Sequence, residues 1–203
     1  MKVFAKFEKW KDIFRRFAGQ GVYPNELAFL LDLPLRKFIL SSSELVDRLH
    51  LASKSVVLEI GPGPGYFSVE TAKRISEGSL VLFDIQSEML KKAVNKLEQN
   101  KISNVVPVQG DASILPFNND TFDVAFLVTV LGEVTDQKKC LLSINKVLRA
   151  GGILSITEMK GDADVLSEDA IMNMAIECGF EYLEIFRSSK GFTLNFEKAS
   201  EYV

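Results

Sequence analysis

The chain has 203 residues, of which 47% are apolar and 25% are charged, and its formal net charge is −3. These values are typical of one soluble globular domain with room for a sizeable core, and they disfavour disordered, collagen-like and coiled-coil proteins. A weakly acidic chain offers no basic footprint for a nucleic-acid backbone. We therefore expect no nucleic-acid partner, and the composition leaves open whether the protein forms a homo-oligomer.

The two cysteines, Cys140 and Cys178, lie far apart in the chain and lack the spacing of a zinc cluster or a disulfide framework. We therefore predict no metal site and a reducing compartment. No apolar run approaches the roughly 20 residues that cross a bilayer, and the N-terminus lacks the apolar core of a signal peptide. The sequence predicts a cytoplasmic protein.

Residues 1–42 differ in composition from the rest of the chain. Five aromatic residues recur every three or four positions, on one face of a predicted helix: Phe4, Phe7, Trp10, Phe14 and Phe17. Basic side chains occupy its other face, and a second helical stretch covers residues 26–31. We interpret residues 1–42 as a helical cover over a second domain, residues 43–203. The aromatic face either docks on that domain beside a ligand pocket or contacts a membrane surface that holds a lipophilic ligand.

From residue 55 onward, short apolar runs alternate with amphipathic helices, which is typical of a parallel sheet with crossover helices. The predicted strands cover residues 56–60, 80–84, 105–109, 122–128, 152–157, 181–187 and 192–198. The predicted helices cover residues 44–49, 66–76, 87–99, 136–149 and 167–178. The short connection at residues 188–191 predicts that the last two strands are antiparallel. Asp123, at the start of the fourth strand, is interpreted as a structural residue.

The most informative stretch is VLEIGPGPGYFS, residues 57–68, in which a buried strand leads into a glycine-rich turn that opens a helix. In an open α/β sheet a ligand binds at this end of the first strand. The spacing of Gly61, Gly63 and Gly65 misses the dinucleotide pattern, because Tyr66 occupies the position of its third glycine. No Lys-Ser or Lys-Thr pair follows that would make a phosphate-binding P-loop.

Two further details argue against a phosphate at this loop. Pro62 and Pro64 remove two backbone N–H donors, and Glu59 places a carboxylate beside the loop. An anion would be repelled there, whereas a ligand with a positive head group would be attracted. S-adenosylmethionine has these properties, since it carries an ammonium and a sulfonium group and no phosphate.

Acidic residues also end the next two strands. Asp84 follows the second strand, where a carboxylate can accept both ribose hydroxyl groups, and Ile85 and Met89 can pack on adenine. Asp111 follows the third strand with Ala112, in position for the exocyclic amino group of adenine. Three successive strand ends therefore carry acids suited to one ligand.

In order, these motifs resemble the class I S-adenosylmethionine-dependent methyltransferases, and they are most similar to the small branch with the ubiquinone and menaquinone biosynthesis methyltransferases. The resemblance covers residues 43–198. It implies an α/β, Rossmann-like open sheet of seven strands, mostly parallel with an antiparallel last strand, and helices on both faces. It also implies a cofactor site of these residues, with Thr129 beside the methyl donor: Glu59, Gly61, Gly63, Gly65, Asp84, Ile85, Met89, Asp111, Ala112 and Val128.

The resemblance implies methyl transfer by in-line displacement, with S-adenosylhomocysteine as the product. The chain lacks the Asn/Asp-Pro-Pro-Tyr-like loop of adenine and glutamine methylation, and neither thiol is placed for pyrimidine carbon methylation. The three cysteines of arsenite methyltransferases are also missing. A small-molecule acceptor remains, with carbon, oxygen, nitrogen or sulfur as the accepting atom. Tyr23 and Glu133 are the candidate catalytic residues, while Gly132 stands where many relatives carry histidine.

Two rival functions stay open at this point. One is a catalytically silent subunit that binds S-adenosylmethionine and regulates or assists a partner. The other is a nucleotide-binding oxidoreductase, against which Glu59 and the missing third glycine argue.

Overall fold

The computed structural model describes residues 41–162 and 164–199. These residues form five α-helices, a short 3-10 helix and seven β-strands. In chain order they are α1 (Ser42–Asp47), β1 (Val56–Ile60), α2 (Ser68–Arg74), β2 (Ser79–Asp84), α3 (Ser87–Gln99), β3 (Val105–Gln109), β4 (Phe122–Val128), the 3-10 helix (Leu131–Glu133), α4 (Gln137–Val147), β5 (Leu148–Met159), α5 (Glu168–Glu177), β6 (Phe180–Ser188) and β7 (Gly191–Lys198). None of these helices is long and apolar enough to span a membrane.

The predictions made for the N-terminal segment, including its aromatic helix and Tyr23, lie outside the described residues. The cover at residues 1–42 therefore stays a prediction.

The seven strands form one sheet in the order β3-β2-β1-β4-β5-β7-β6. β1 to β5 pair in parallel, and β7 is antiparallel to both of its neighbours, so β6 runs in the same direction as β1 to β5. This arrangement confirms the predicted fold class. β2 follows β1 on one side of the sheet and β5 follows β4 on the other, so the connections after β1 and β4 run in opposite directions and leave room for a ligand between them.

The predicted element bounds are close to those observed, and the largest difference is in β5. This strand begins four residues earlier than predicted, directly after α4, and Leu148 pairs with Phe122 before a register shift. The strand bends at Gly151, which has a φ of +73°, and the glycines at 151 and 152 interrupt the apolar pattern from which the strand was predicted. α2 begins two residues later than predicted because the glycine turn continues through a Gly65 N–H to Pro62 carbonyl hydrogen bond of 3.0 Å.

Buried apolar side chains form one cluster on each face of the sheet. Leu58 and Ile156 belong to the cluster under α4 and α5, whereas Val57 and Phe126 belong to the cluster under α2 and α3. Adjacent residues of β1 thus point to opposite faces, as the pleat of a strand requires. Cys140, on α4, is fully buried in the first cluster. Because each cluster lies between the sheet and a pair of helices, helices cover both faces of the sheet.

Candidate functional site

A cavity of about 220 Å³ opens at the carboxyl ends of β1, β2 and β4. Ten residues highlighted by the sequence line it: Glu59, Gly61, Gly63, Asp84, Ile85, Asp111, Ala112, Val128, Thr129 and Glu133. We call the part formed by residues 59–63, 84–86 and 110–112 the cofactor half. We call the part formed by residues 128–135 and 162 the acceptor half.

Two predicted cofactor residues do not line the cavity. Gly65 has a φ of +82°, and a side chain there would bring its Cβ within 3.0 Å of the Ala93 Cα on α3. Met89 is 2% exposed and belongs to the buried face of α3. The structure therefore places Gly65 against α3 and buries Met89 on that helix.

Gly61 joins the two halves of the cavity. Its N–H donates to the Phe83 carbonyl over 2.8 Å, and its φ of +67° lies in the left-handed region that favours glycine. A Cβ at this position would lie 2.4 Å from the Val130 Cγ2. Only glycine therefore satisfies both the backbone conformation and the close approach of the segment after β4.

Glu59 is the most buried acid of the cofactor half, with 2% of its surface exposed. Burial raises the pKa of its carboxyl to about 8, the Ser68 side chain opposes this rise, and the charge of Asp84 adds to it. Its Oε2 atom is buried and has no hydrogen-bond partner. A buried oxygen of this kind is stabilised by a donor or a cation, and the cavity beside it is where such a ligand would lie.

Asp84 is held by the backbone that follows β2. Its Oδ1 accepts the Gln86 N–H over 2.8 Å. Burial raises the pKa of Asp84 to about 6, while the backbone N–H groups of Gln86, Gly63 and Ile85 favour the ionised form. The side chain is thus oriented before any ligand binds.

The third strand end completes the cofactor half. Asp111 is exposed at the cavity, and its Oδ1 accepts the Ser113 N–H over 2.8 Å in a local turn. Gly110 donates its N–H to the Asp84 carbonyl over 3.1 Å, and a Cβ there would lie 2.6 Å from the Phe83 Cζ. Gln109 donates its Nε2 to the Ile85 carbonyl over 3.0 Å, which links the second and third strand ends.

The acceptor half begins with strained backbone. Thr129 lines the cavity with a φ of +54°, a conformation that is unusual for a β-branched residue, and its N–H donates to the Thr157 carbonyl over 2.8 Å. The 3-10 helix follows and brings Glu133 to the cavity wall. Strain of this kind persists where surrounding contacts fix it, and it often marks functional sites.

Sequence reasoning missed several lining residues. They are mainly aromatic or apolar, with three polar exceptions: Tyr66, Phe67, Phe83, Phe126, Val134, Gln86, Thr135 and Asp162. Tyr66 and Phe67 directly follow the glycine loop, so their position could have been found from the motif. Asp162 lies in the loop after β5 and belongs to no motif. The described residues contain no cluster of side chains suited to a metal ion.

The donor set therefore suits an organic cation with hydroxyl groups. A buried carboxylate with an unpartnered oxygen, a second oriented carboxylate and a glycine cradle all meet in the cofactor half. These features suit S-adenosylmethionine, the ligand that the sequence predicts for these residues.

Comparisons with known proteins show the family to which the chain belongs. A family model described as a methyltransferase domain matches residues 51–190. A ubiquinone/menaquinone biosynthesis C-methyltransferase UbiE from Marinomonas sp. (strain MWYL1) is 40% identical over 115 residues, which are 55% of this chain and 46% of that protein. The protein of the same name from Pasteurella multocida (strain Pm70) is 32% identical over 163 residues, which are 77% of this chain and 59% of that protein.

Among solved structures, a SAM-dependent methyltransferase from Aquifex aeolicus superposes with a TM-score of 0.82 at 20% identity. The match covers 87% of this chain and 100% of that chain. At this identity the likeness concerns the fold. The chain spans about half the length of the curated relatives it matches first.

Proposed function

Because the chain belongs to a family of methyltransferase domains, we propose that it transfers a methyl group from S-adenosylmethionine to a small-molecule acceptor by in-line displacement. S-adenosylmethionine is the cofactor and S-adenosylhomocysteine is the product. When bound, this cofactor supplies a methyl group that its positively charged sulfonium has already activated. The protein then has to align the reacting atoms and exclude water.

The observation that carries the proposal is the buried Glu59 carboxyl with its unpartnered Oε2 at the cavity. An ammonium group at this position would satisfy that oxygen and favour the ionised form of Glu59. A phosphate-bearing nucleotide would instead face a carboxylate and two prolines, and for this reason we do not favour an oxidoreductase.

The other cofactor-half residues have separate roles in this proposal. Asp84, oriented by the Gln86 N–H, holds the ribose hydroxyl groups. Asp111 and Ala112 hold the adenine edge, against which the half-exposed Ile85 packs. Gly61 and Gly63 let the backbone approach the methionine end of the ligand closely.

In the acceptor half, Val128 and Thr129 flank the position of transfer, and Glu133 is the candidate to hold or accept a proton of the acceptor. The curated relatives are named as C-methyltransferases of ubiquinone and menaquinone biosynthesis. Quinol-type compounds are therefore one acceptor class to test, beside thiols and small amines. Tyr23 lies outside the described residues, so its catalytic role stays a prediction.

The experiment combines binding with turnover. Isothermal titration with S-adenosylhomocysteine, NAD and ATP is expected to show binding of the first compound only, and Glu59→Gln should weaken it. Glu70→Gln is a matched control, because Glu70 lies nearby on α2 and does not line the cavity. An acceptor screen that detects S-adenosylhomocysteine release then tests turnover. Tight binding without turnover on any class would favour the catalytically silent subunit, and binding of NAD alone would overturn the proposal.

A further inference from the structure

A second cavity, of about 370 Å³, opens where the last three strands of the chain meet the start of α5. Its wall includes Glu158 near the end of β5, Glu168 in the first turn of α5, Arg187 near the end of β6 and Phe192 at the start of β7. Of the described residues, none lines both this second cavity and the cavity at the ends of β1, β2 and β4, which we call the first cavity. The proposed methyl transfer therefore gives the second cavity no role.

The strand register directs three charged side chains to the second cavity. Phe192 of β7 pairs with Glu158 of β5 on one side and with Arg187 of β6 on the other. Residues directly opposite each other on neighbouring strands place their side chains on the same face of the sheet. Lys160 follows Glu158 by two residues and continues the ladder, since its N–H donates to the Lys190 carbonyl over 2.8 Å. Its side chain therefore leaves from that face as well.

Glu158 is the buried acid of the second cavity. It is 2% exposed, and its Oε1 atom is buried without a hydrogen-bond partner. The backbone around it is tightly packed, because a Cβ at Gly191 would lie 2.1 Å from the Glu158 carbonyl oxygen. A buried carboxyl oxygen without a donor is unfavourable. The cavity that this side chain lines is the route by which a donor from outside the chain can reach it.

Two basic side chains of the same cavity have unused donors. Glu168 accepts the Arg187 Nε over 3.0 Å and the Arg187 Nη2 over 2.6 Å, which leaves Arg187 Nη1 without a recorded partner in the described part of the chain. Lys160 is exposed, and among the described residues no ion pair is recorded for it. Although it lines the same cavity as Glu158, Lys160 does not compensate the buried acid. The cavity thus offers one buried acceptor and two exposed cationic donors.

Apolar side chains form the rest of the wall. Val165 is 45% exposed and Met159 is 9% exposed, and both line the second cavity with Phe192. An exposed apolar side chain inside a cavity gains stability when a ligand covers it. A ligand that suits this wall therefore has an apolar part beside its charged groups.

We propose that the second cavity binds a free α-amino acid with an apolar side chain. Glu158 binds the ammonium group, and Lys160 and Arg187 bind the carboxylate. The side chain of the ligand packs on Phe192 and Val165. An anion without an ammonium group would leave the Glu158 oxygen without a donor, and an amine without a carboxylate would leave both basic side chains unused. This inference does not depend on the proposed methyl transfer.

The test removes one charge of the ligand at a time. L-leucine, L-methionine and L-phenylalanine are titrated calorimetrically into the full chain, first alone and then saturated with S-adenosylhomocysteine. We expect at least one of the three to bind with a dissociation constant below about 1 mM. Its amide lacks the carboxylate and its N-acetyl derivative lacks the ammonium group, so each should bind about tenfold or more weakly.

Two variants and two controls assign the binding to the second cavity. Glu158→Gln and Lys160→Met should each reduce amino-acid affinity about tenfold. Asp169→Asn and Lys73→Met remove exposed charges that do not line the cavity and should leave the affinity unchanged. Melting temperatures without ligand show whether the variants fold, and the exposed position of Lys160 keeps the test valid if Glu158→Gln is destabilised.

Four results would overturn the proposal. None of the three amino acids binds, or the amide and the N-acetyl derivative bind as tightly as the amino acid. The affinity stays unchanged in both Glu158→Gln and Lys160→Met. S-adenosylhomocysteine displaces the amino acid, which would place it in the first cavity. Failure of S-adenosylhomocysteine to bind would instead count against the proposed function alone.

Discussion

The two halves of the cavity fix their acids in different ways. In the cofactor half, Asp84 and Asp111 each accept an N–H of their own turn, at 2.8 Å in both cases. In the acceptor half, the Asp162 Oδ1 also accepts an N–H of its own turn, that of Asp164 over 3.0 Å, but the loop that carries it packs on the 3-10 helix through the contact between Asp164 and Gly132. Local turns alone thus orient the first set of acids, whereas the second also needs a tertiary contact. A site of the first kind leaves a sequence motif, and one of the second kind does not.

The largest effect is expected where the two halves meet, at Gly61. Gly61→Ala places a side chain at a φ of +67° and 2.4 Å from Val130. The backbone costs about 1–2 kcal/mol and the overpacking about 1–3 kcal/mol. We expect a lower free energy of unfolding in urea and a loss of S-adenosylhomocysteine binding by titration.

Adding Val130→Ala should recover the part of this loss that comes from the contact, which a double-mutant cycle measures. Gly161→Ala is the backbone control, because Gly161 has a φ of +90° and no neighbouring atom lies within 4 Å of the position that its Cβ would occupy. Equal stability of Gly61→Ala and the unmodified protein would contradict the described packing.

The next prediction compares Asp84, in the cofactor half, with Asp123, which lies at the amino end of β4, away from the cavity. Asp84→Ala should lose one or more charged hydrogen bonds to the ligand, at about 1.5–3 kcal/mol each, and therefore at least about tenfold in S-adenosylhomocysteine affinity. The melting temperature without ligand should change little.

Asp123→Ala is the matched control for Asp84→Ala. The Asp123 Oδ2 accepts the Val56 N–H over 2.7 Å, and its other oxygen pairs with Arg149. Its loss should reduce the free energy of unfolding by about 1–3 kcal/mol and leave ligand affinity unchanged. If the two variants behave alike, Asp84 is a structural cap and does not bind ribose.

A third prediction concerns the pH dependence of binding. The pKa of Glu59 is about 8 in the free protein, and an ammonium ligand favours its ionised form, so binding releases a proton. Affinity for S-adenosylhomocysteine should therefore rise with pH between about 6.5 and 8, by up to about tenfold per unit. Titrations in Glu59→Gln should show a weaker affinity and a flatter profile. An unchanged slope in this variant would show that Glu59 does not face the ligand.

The smallest effect concerns stability without ligand. Burial raises the pKa of Glu59 and of Glu158 from 4.5 to about 8, so the folded state holds protons that the unfolded state releases. The stabilising contribution of these protonated carboxyls to the free energy of unfolding is complete at pH values below their unfolded-state pKa of 4.5, and it is lost as the pH rises toward 8. We expect the free energy of unfolding to fall over that range, on the order of 1 kcal/mol for each group and each pH unit.

Glu59→Gln and Glu158→Gln should each flatten this dependence. Saturating S-adenosylhomocysteine should remove the pH dependence that comes from Glu59 and retain that from Glu158, because only Glu59 lines the first cavity. A ligand that abolishes both contributions would contradict this assignment.

Sequence patterns predicted the sheet and most of the cofactor half for physical reasons. The alternation of apolar runs and helices is set by local geometry, and the ends of β1, β2 and β3 carry Glu59, Asp84 and Asp111 within one continuous stretch. The interpretation of Asp123 as structural was also confirmed, since it accepts the Val56 N–H.

The acceptor half was predicted less completely. The loop that carries Asp162 meets the segment after β4 through a contact between Asp164 and Gly132 that no local pattern encodes. Met89 was predicted to pack on adenine because it follows Asp84 closely in the chain, but it is a buried residue of α3 and does not line the cavity. One helix face cannot indicate which of its buried residues will reach a ligand.

The strand order has a consequence for how the protein can change. Because β1 lies between β2 and β4, residues 59–112 form one half of the cavity, and the chain then passes once to the other half at residues 128–162. The two halves are therefore consecutive cassettes of the chain. Recombination between related genes after β3 would replace the second cassette as a unit and leave the first cassette unchanged. The product would bind the same cofactor and could prefer a different acceptor, provided that the side chain at residue 130 still fits against Gly61.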